Sequence, residues 1–263
     1  MKRRAAERPP EDGARSLALG FLALVPLLVA HEWGSAARGR DLVNLGAVLL
    51  RLPLAPLGAS VEPASWIVLG ALAVASLVLL FRSEFALLPR LLRILGEGAL
   101  AAVLLGPLLV FLSWALHLPG DPSHVRAGAP GSPPPLSLAA VLAGGAAFEE
   151  LVFRLGVMSA TWVLARRVLQ ALGAGAGLVR GGAELLALGL SALAFAASHL
   201  ERVVWVLAGP GGEPFDAAVF SWRFLAGILL GILFRWRGMG VAAWAHAFFN
   251  LALLIGAGPD VFL

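Results

Sequence analysis

Apolar residues fill one bilayer-length window after another along this chain, separated by segments rich in Arg, Gly and Pro. A polar start, "MKRRAAERPPEDGAR", leads into "SLALGFLALVPLLVA", and further apolar runs follow near 65–81, 97–117, 136–165, 184–200, 217–234 and 240–256. Each comes close to the ~20 residues that a helix needs to cross a hydrocarbon core, although two are short. The pattern predicts an all-α, polytopic transmembrane helical bundle of about seven to eight spans. Which count holds depends on 42–58, "LVNLGAVLLRLPLAPLG", which Arg51, Pro53 and Pro56 interrupt. That stretch reads as an interfacial or re-entrant piece, giving seven spans; if it crosses, there are eight. The charged start also fits a signal peptide. No small-x-small site follows, and the chain stays hydrophobic, which favours a first span. "HLPGDPSHVRAGAPGSPPP" is the most obvious long loop, and no fixed-period repeat or second domain interrupts the pattern.

Composition agrees. Hydrophobic residues are 59% of 263 and charged residues only 14%, with a mean hydropathy of +0.87. A soluble surface needs far more polar side chains. The net charge of +4 comes from arginines between spans, which mark the cytoplasmic side of a membrane and not a nucleic-acid surface. Arg/Lys-rich segments (1–15, 82–96, 166–183, 235–239) alternate with poor ones (118–135, 201–216), placing the N-terminus in the cytoplasm and the C-terminus outside. Arg38, Arg40 and Arg51 are exceptions on the supposed outer side. The absence of cysteine excludes disulfides, thiolate zinc sites and cysteine nucleophiles. The Ala, Leu, Gly and Arg bias, with a single lysine, suggests a bacterial inner (cytoplasmic) membrane.

Against this background "FEELVFRLG" at 148–156 stands out, with Glu149, Glu150 and Arg154 between stretches that could both lie in lipid. Ionisable groups at mid-bilayer cost about 2.5–3.5 kcal/mol each on insertion scales, and are functional candidates by default. On a helix Glu150 and Arg154 share a face and can pair, while Glu149 points about 100° away. Either Arg154 neutralises Glu150 and leaves Glu149 for chemistry, or all three form a structural cluster. "SALAFAASHLE" places Phe195 and His199 one turn apart, and "VAAWAHAFFNLALL" does the same for His246 and Asn250. Alone, the first reads as an interfacial histidine and the second as a helix–helix hydrogen-bonding pair. Together they bring two glutamates, two histidines and an asparagine from three apolar helices, which must converge to avoid facing lipid unpaired. A carboxylate beside imidazole activates water, and His and Asn donors stabilise an oxyanion, so a hydrolytic site accounts for them best.

E-E-x-x-x-R at Glu149–Arg154, F-x-x-x-H at Phe195–His199 and H-x-x-x-N at His246–Asn250 resemble, in order, the three motifs of the CPBP intramembrane endopeptidases. That family includes the type II CAAX prenyl proteases, the Abi proteins and the myxosortases. The likeness extends over about 136–256, including "FLAGILLGILFRWRGMGVAAWAHAFFN". It divides the chain into a polar cytoplasmic tail at 1–15, an N-terminal transmembrane region at 16–135, a catalytic helical core at 136–256 and a C-terminal tail at 257–263. The resemblance implies a glutamate-dependent peptidase acting on membrane-anchored protein or peptide substrates in the lipid bilayer. It assigns water activation to Glu149 and His199, the oxyanion to His246 and Asn250, and support to Glu150, Arg154 and Phe195. A metal-free site is expected. Zinc is the alternative, because a carboxylate and two histidines can ligate it, although H-E-x-x-H is absent.

Other polar residues carry weaker expectations. Ser198 lies about 100° around the helix from His199, which disfavours a serine nucleophile. His31, His117 and His124 lie near span ends or in a loop; Gly227 and Gly231 permit close packing, and Arg223 snorkels, with a substrate carboxylate as its minority partner. Two other function classes compete, a proton-coupled transporter and a proteolytically silent immunity or scaffold protein. The transporter needs polar groups through most spans, and the first three have almost none. One difficulty concerns depth. At ~1.5 Å per residue His199 lies roughly 24 Å from residue 184, but His246 only about 9 Å from residue 240. If the two share a site, the last helix starts deep in the bilayer, with "RWRGMG" dipping inward, or the 184–200 span tilts.

Overall fold

The computed structural model describes residues 10–38, 42–81, 86–118 and 135–256. The start of the polar tail, the centre of the long loop with His124, Arg40 and the tail at 257–263 lie outside the described residues. The helices are α1 (Pro10–Ala37), α2 (Leu45–Arg51), α3 (Val61–Phe81), α4 (Leu87–Ala115), α5 (Leu136–Glu149), α6 (Ser159–Ala171), α7 (Ala176–Ala197), α8 (Glu201–Ala208), α9 (Ala217–Arg237) and α10 (Met239–Gly256). Among the described residues seven helical stretches are long and apolar enough to cross a membrane. The protein is an integral, multi-pass helical bundle.

Residues 42–58 do not cross alone. α2 has seven α-helical residues, about 10 Å of rise and a third of a hydrocarbon core. A tighter 3₁₀ stretch, Leu52–Ser60, carries Pro53 and Pro56 and kinks at Gly58 (φ 57°) before α3 begins. Proline lacks the N–H that an α-helix uses, and the positive φ suits glycine alone. Arg51 pairs with Glu32 on α1 at 2.5 Å, so one exception to the charge rule is a neutralised residue.

Several helices outrun their apolar cores. α4 starts at Leu87 and α7 at Ala176, so Arg90, Arg93 and Arg180 ride on helices where the sequence suggested loops. Arginine stems continue an apolar surface while their tips meet carboxylates, as in Arg93–Glu97 and Arg235–Glu184.

α5 and α6 are joined without a break through Glu150–Met158. In this continuous rod 67% of the most apolar window is buried, and in α10 56%, against 17–39% elsewhere, so these two form the centre. Burial in lipid gives helices no hydrophobic reason to associate, so close packing through small residues takes over. A Cβ on Gly144 of α5 would lie 2.3 Å from the Leu27 carbonyl of α1, and one on Gly98 of α4 2.7 Å from Trp244 of α10. Ala242, Ala243, Ala245 and Ala247 keep α10 thin enough to serve both α1/α5 and α4/α9. The start of the last helix is buried among its neighbours. Gly238 (φ 92°) ends α9, and Met239 and Gly240 are buried against Gly20, Ala23 and Ile94.

Candidate active site

Glu149 closes α5 and Glu150 opens a nine-residue segment, Glu150–Met158, with the wider i→i+5 pattern of a π-helix. Such widening displaces the hydrogen-bond ladder, and Ser191 of α7 supplies a donor to the Phe153 carbonyl at 2.7 Å. Within it Glu150 and Arg154 have no exposed surface and pair at 3.3 Å (Oε2 to Nε). Phe195 of α7 lies 4.5 Å beneath the guanidinium carbon, a cation–π contact that replaces lost hydration.

Glu150 has a second partner. Its Oε1 lies 3.0 Å from Nδ1 of His246, and the same imidazole presents Nε2 to Glu149 Oε2 at 3.6 Å. In a neutral imidazole facing an arginine-paired carboxylate, Nδ1–H is the donor, which leaves a lone pair on Nε2. Two acceptors, Nε2 and a carboxylate oxygen, thus face each other beyond hydrogen-bond distance, where one water could donate to both. Glu149 Oε1 is already engaged, accepting from Asn44 Nδ2 at 2.9 Å.

Asn44 was not legible as a site residue in the sequence. It precedes α2 and caps it, Oδ1 accepting from Ala47 N–H at 2.9 Å. Capping turns the other half of the amide toward Glu149. The helix-start rule, an Asn before an apolar run, identifies the cap but not its partner 105 residues away. Gly46 permits the approach, since a Cβ there would lie 2.9 Å from the Glu149 amide.

His199 follows the end of α7, and its Nδ1–H donates to the Phe195 carbonyl at 2.9 Å, again leaving Nε2 as an acceptor. The Phe195 ring lies edge-on to both histidines, 5.1 Å from His199 and 5.6 Å from His246. Its buried ring therefore links the two imidazoles, Arg154 and Phe153. Ser198 Oγ donates to the Phe195 carbonyl at 2.7 Å. The structure does not bring Asn250 onto the glutamates. Its Nδ2 donates at 3.2 Å to the Leu142 carbonyl, about two turns before Glu149. His31 is a packing residue, its Nδ1–H donating to the Val141 carbonyl beside the Phe148 ring. Arg223 is paired, gripping Glu213 with two hydrogen bonds. Among the described residues no group of three or more His, Asp or Glu side chains is arranged to hold a metal ion.

A family model described as Type II CAAX prenyl endopeptidase Rce1-like matches residues 130–252, a little under half of the chain. That segment contains every residue of the cluster except Asn44. No curated protein and no solved structure matches the chain.

Proposed function

Residues 130–252 belong to the type II CAAX prenyl endopeptidase Rce1-like family, and from that premise we propose an intramembrane endopeptidase in which Glu149 and His246 activate the attacking water. The observation carrying this reading is the 3.6 Å gap between Glu149 Oε2 and His246 Nε2, both acceptors, each with its other polar atom tied down. Water between them donates to both and directs its own lone pair at a peptide carbonyl. As attack proceeds, Glu149 takes a proton and later returns it to the leaving amine. Glu150, backed by Arg154, fixes the His246 tautomer and ring plane, as a buried carboxylate does in other hydrolytic sites.

In this reading the histidines exchange the roles that the resemblance implied. His246 takes the water, and the His199 Nε2 lone pair suits a substrate N–H, aligning the scissile segment. Asn250 serves the oxyanion through its amide, which must turn from Leu142 when substrate enters. The site acts without a metal. Its substrates are proteins or peptides anchored in the bilayer, and the composition supports a bacterial cytoplasmic membrane.

The test is a panel of membrane-anchored reporters, prenylated CAAX peptides among them, incubated with the purified protein in vesicles. We expect cleavage of at least one reporter, surviving exhaustive chelation, with far less than one zinc per active chain. Stoichiometric zinc, with activity lost on stripping and restored on its return, would overturn the metal-free mechanism.

A further inference from the structure

His199 sits on a turn, and the groups that fix this turn come from another part of the chain. α7 ends at Ala197, and Leu200 is extended (φ −73°, ψ 133°) where it caps α8. The segment between α8 and α9 folds back across it. Glu213 N–H donates to the His199 carbonyl at 2.8 Å, and Glu201 N–H donates to the Glu213 carbonyl at 2.7 Å. The backbone of Glu213 therefore brackets Leu200 and sets the position of His199. Gly212 makes the approach possible. It has φ 83°, and a Cβ there would lie 2.8 Å from the Glu201 backbone.

Two backbone bonds in a loop of this length hold only if the loop itself is held. The Glu213 carboxylate does this, accepting from Nη1 and Nη2 of Arg223 on α9. Both partners are largely shielded, with 19% and 34% of the side chain exposed, so solvent competes weakly for a bidentate pair. α9 is a firm base because Gly227, one turn beyond Arg223, packs directly on Ala192 and Phe195. The chain of contacts runs from the α7–α9 seam through Arg223 and Glu213 to His199.

We propose that Arg223 and Glu213 are positioning residues for His199, holding its imidazole at the working distance from the Glu149–His246 pair. This rests on the assignment of His199 to the reaction. A displacement of about 1 Å in a reacting group can lower turnover a hundredfold. Lysine should serve poorly at 223, since a single ammonium cannot grip both carboxylate oxygens in one plane.

The test uses full-length protein in vesicles with R223K, R223Q, E213Q and the exchanged pair E213R/R223E. Diethyl pyrocarbonate labelling of His199, read by peptide mass spectrometry, reports its setting without any substrate; cleaved reporters supply kcat and KM. We expect R223Q and E213Q to label His199 faster and to lose about a hundredfold in kcat at unchanged KM. R223K should fall between, and the exchanged pair should return both readouts toward wild type. Unchanged labelling and kcat in folded R223Q and E213Q would overturn the proposal. So would lowered protein abundance with normal kcat in the folded fraction. Full activity in His199→Ala would instead remove His199 from the reaction; an inactive His199→Ala with normal R223Q would sink the clamp alone.

Discussion

Among the described residues Arg154 is the largest fully buried side chain, and it carries the charge that balances Glu150. Its Nε and Nη1 lack hydrogen bonds, and Nη2 reaches the Gly227 carbonyl only at 3.4 Å. The pair survives through mutual attraction and the Phe195 ring. Removing one partner of such a pair destabilises by about 3–5 kcal/mol, whereas removing both charges with similar volume is close to neutral. Arg154→Ala should therefore lower abundance and thermal midpoint more than Glu149→Gln, and Glu150→Gln with Arg154→Met should recover most of the loss without activity. Asn44 allows a finer separation. Asn44→Ser keeps a capping oxygen but removes the donor to Glu149, so turnover should fall with little change in thermal midpoint; equal rates would show that Glu149 needs no orienting partner. The spacing of Glu150 and Arg154 was legible because neighbours one turn apart meet on any helix. The approach of Glu150 to His246 was not, since helix spacing says nothing of a neighbour 96 residues away.

Helices raise a different question, how closely their backbones meet. Apolar window length located the seven apolar stretches found among the described residues, yet could not distinguish the π segment from α-helix, because both present similar apolar faces over nine residues. It also placed the start of α7 late, where Arg180 looked like a loop residue. Contact at α1 and α5 can be tested directly. Gly144→Ala sets a methyl 2.3 Å from the Leu27 carbonyl and 2.5 Å from the His31 nitrogen, backbone atoms that cannot turn aside. Overpacking costs about 1–3 kcal/mol in ordinary cores, and here the helices must separate, so the thermal midpoint in detergent should drop clearly. Gly189→Ala on α7 has nothing within 4 Å and should leave it unchanged. Equal midpoints would refute this close backbone contact.

At the scale of the molecule, the cluster draws its residues from α5, the π segment, the α7 turn and α10, and Asn44 adds the N-terminal half to it. A residue outside the motif-bearing half thus reaches the cluster, although that half holds all the sequence signals. The depth mismatch between His199 and His246 is bridged by the Phe195 ring, which contacts both imidazoles. Arg235 meets Glu184, Gly231 meets Leu188 and Gly227 meets Phe195, so α10 starts near the level of Glu184. From there His246 rises about 10 Å and Phe195 about 16 Å, and the ring contact spans the difference of one turn. Arginine placement predicts the orientation in the membrane, and the lack of native cysteine makes it easy to map with single introduced cysteines. Positions in 166–175 should label from the cytoplasmic side and positions in 209–216 from the opposite side; labelling from one side would refute the topology.

The central claim, that Glu149 activates water for peptide hydrolysis, is tested most directly by single-turnover cleavage of a reporter identified with wild-type protein. Glu149→Gln keeps the shape of the side chain and an acceptor for Asn44, but removes the base. The account predicts wild-type thermal stability and reporter binding with cleavage at background. Cleavage by Glu149→Gln at the wild-type rate would contradict it.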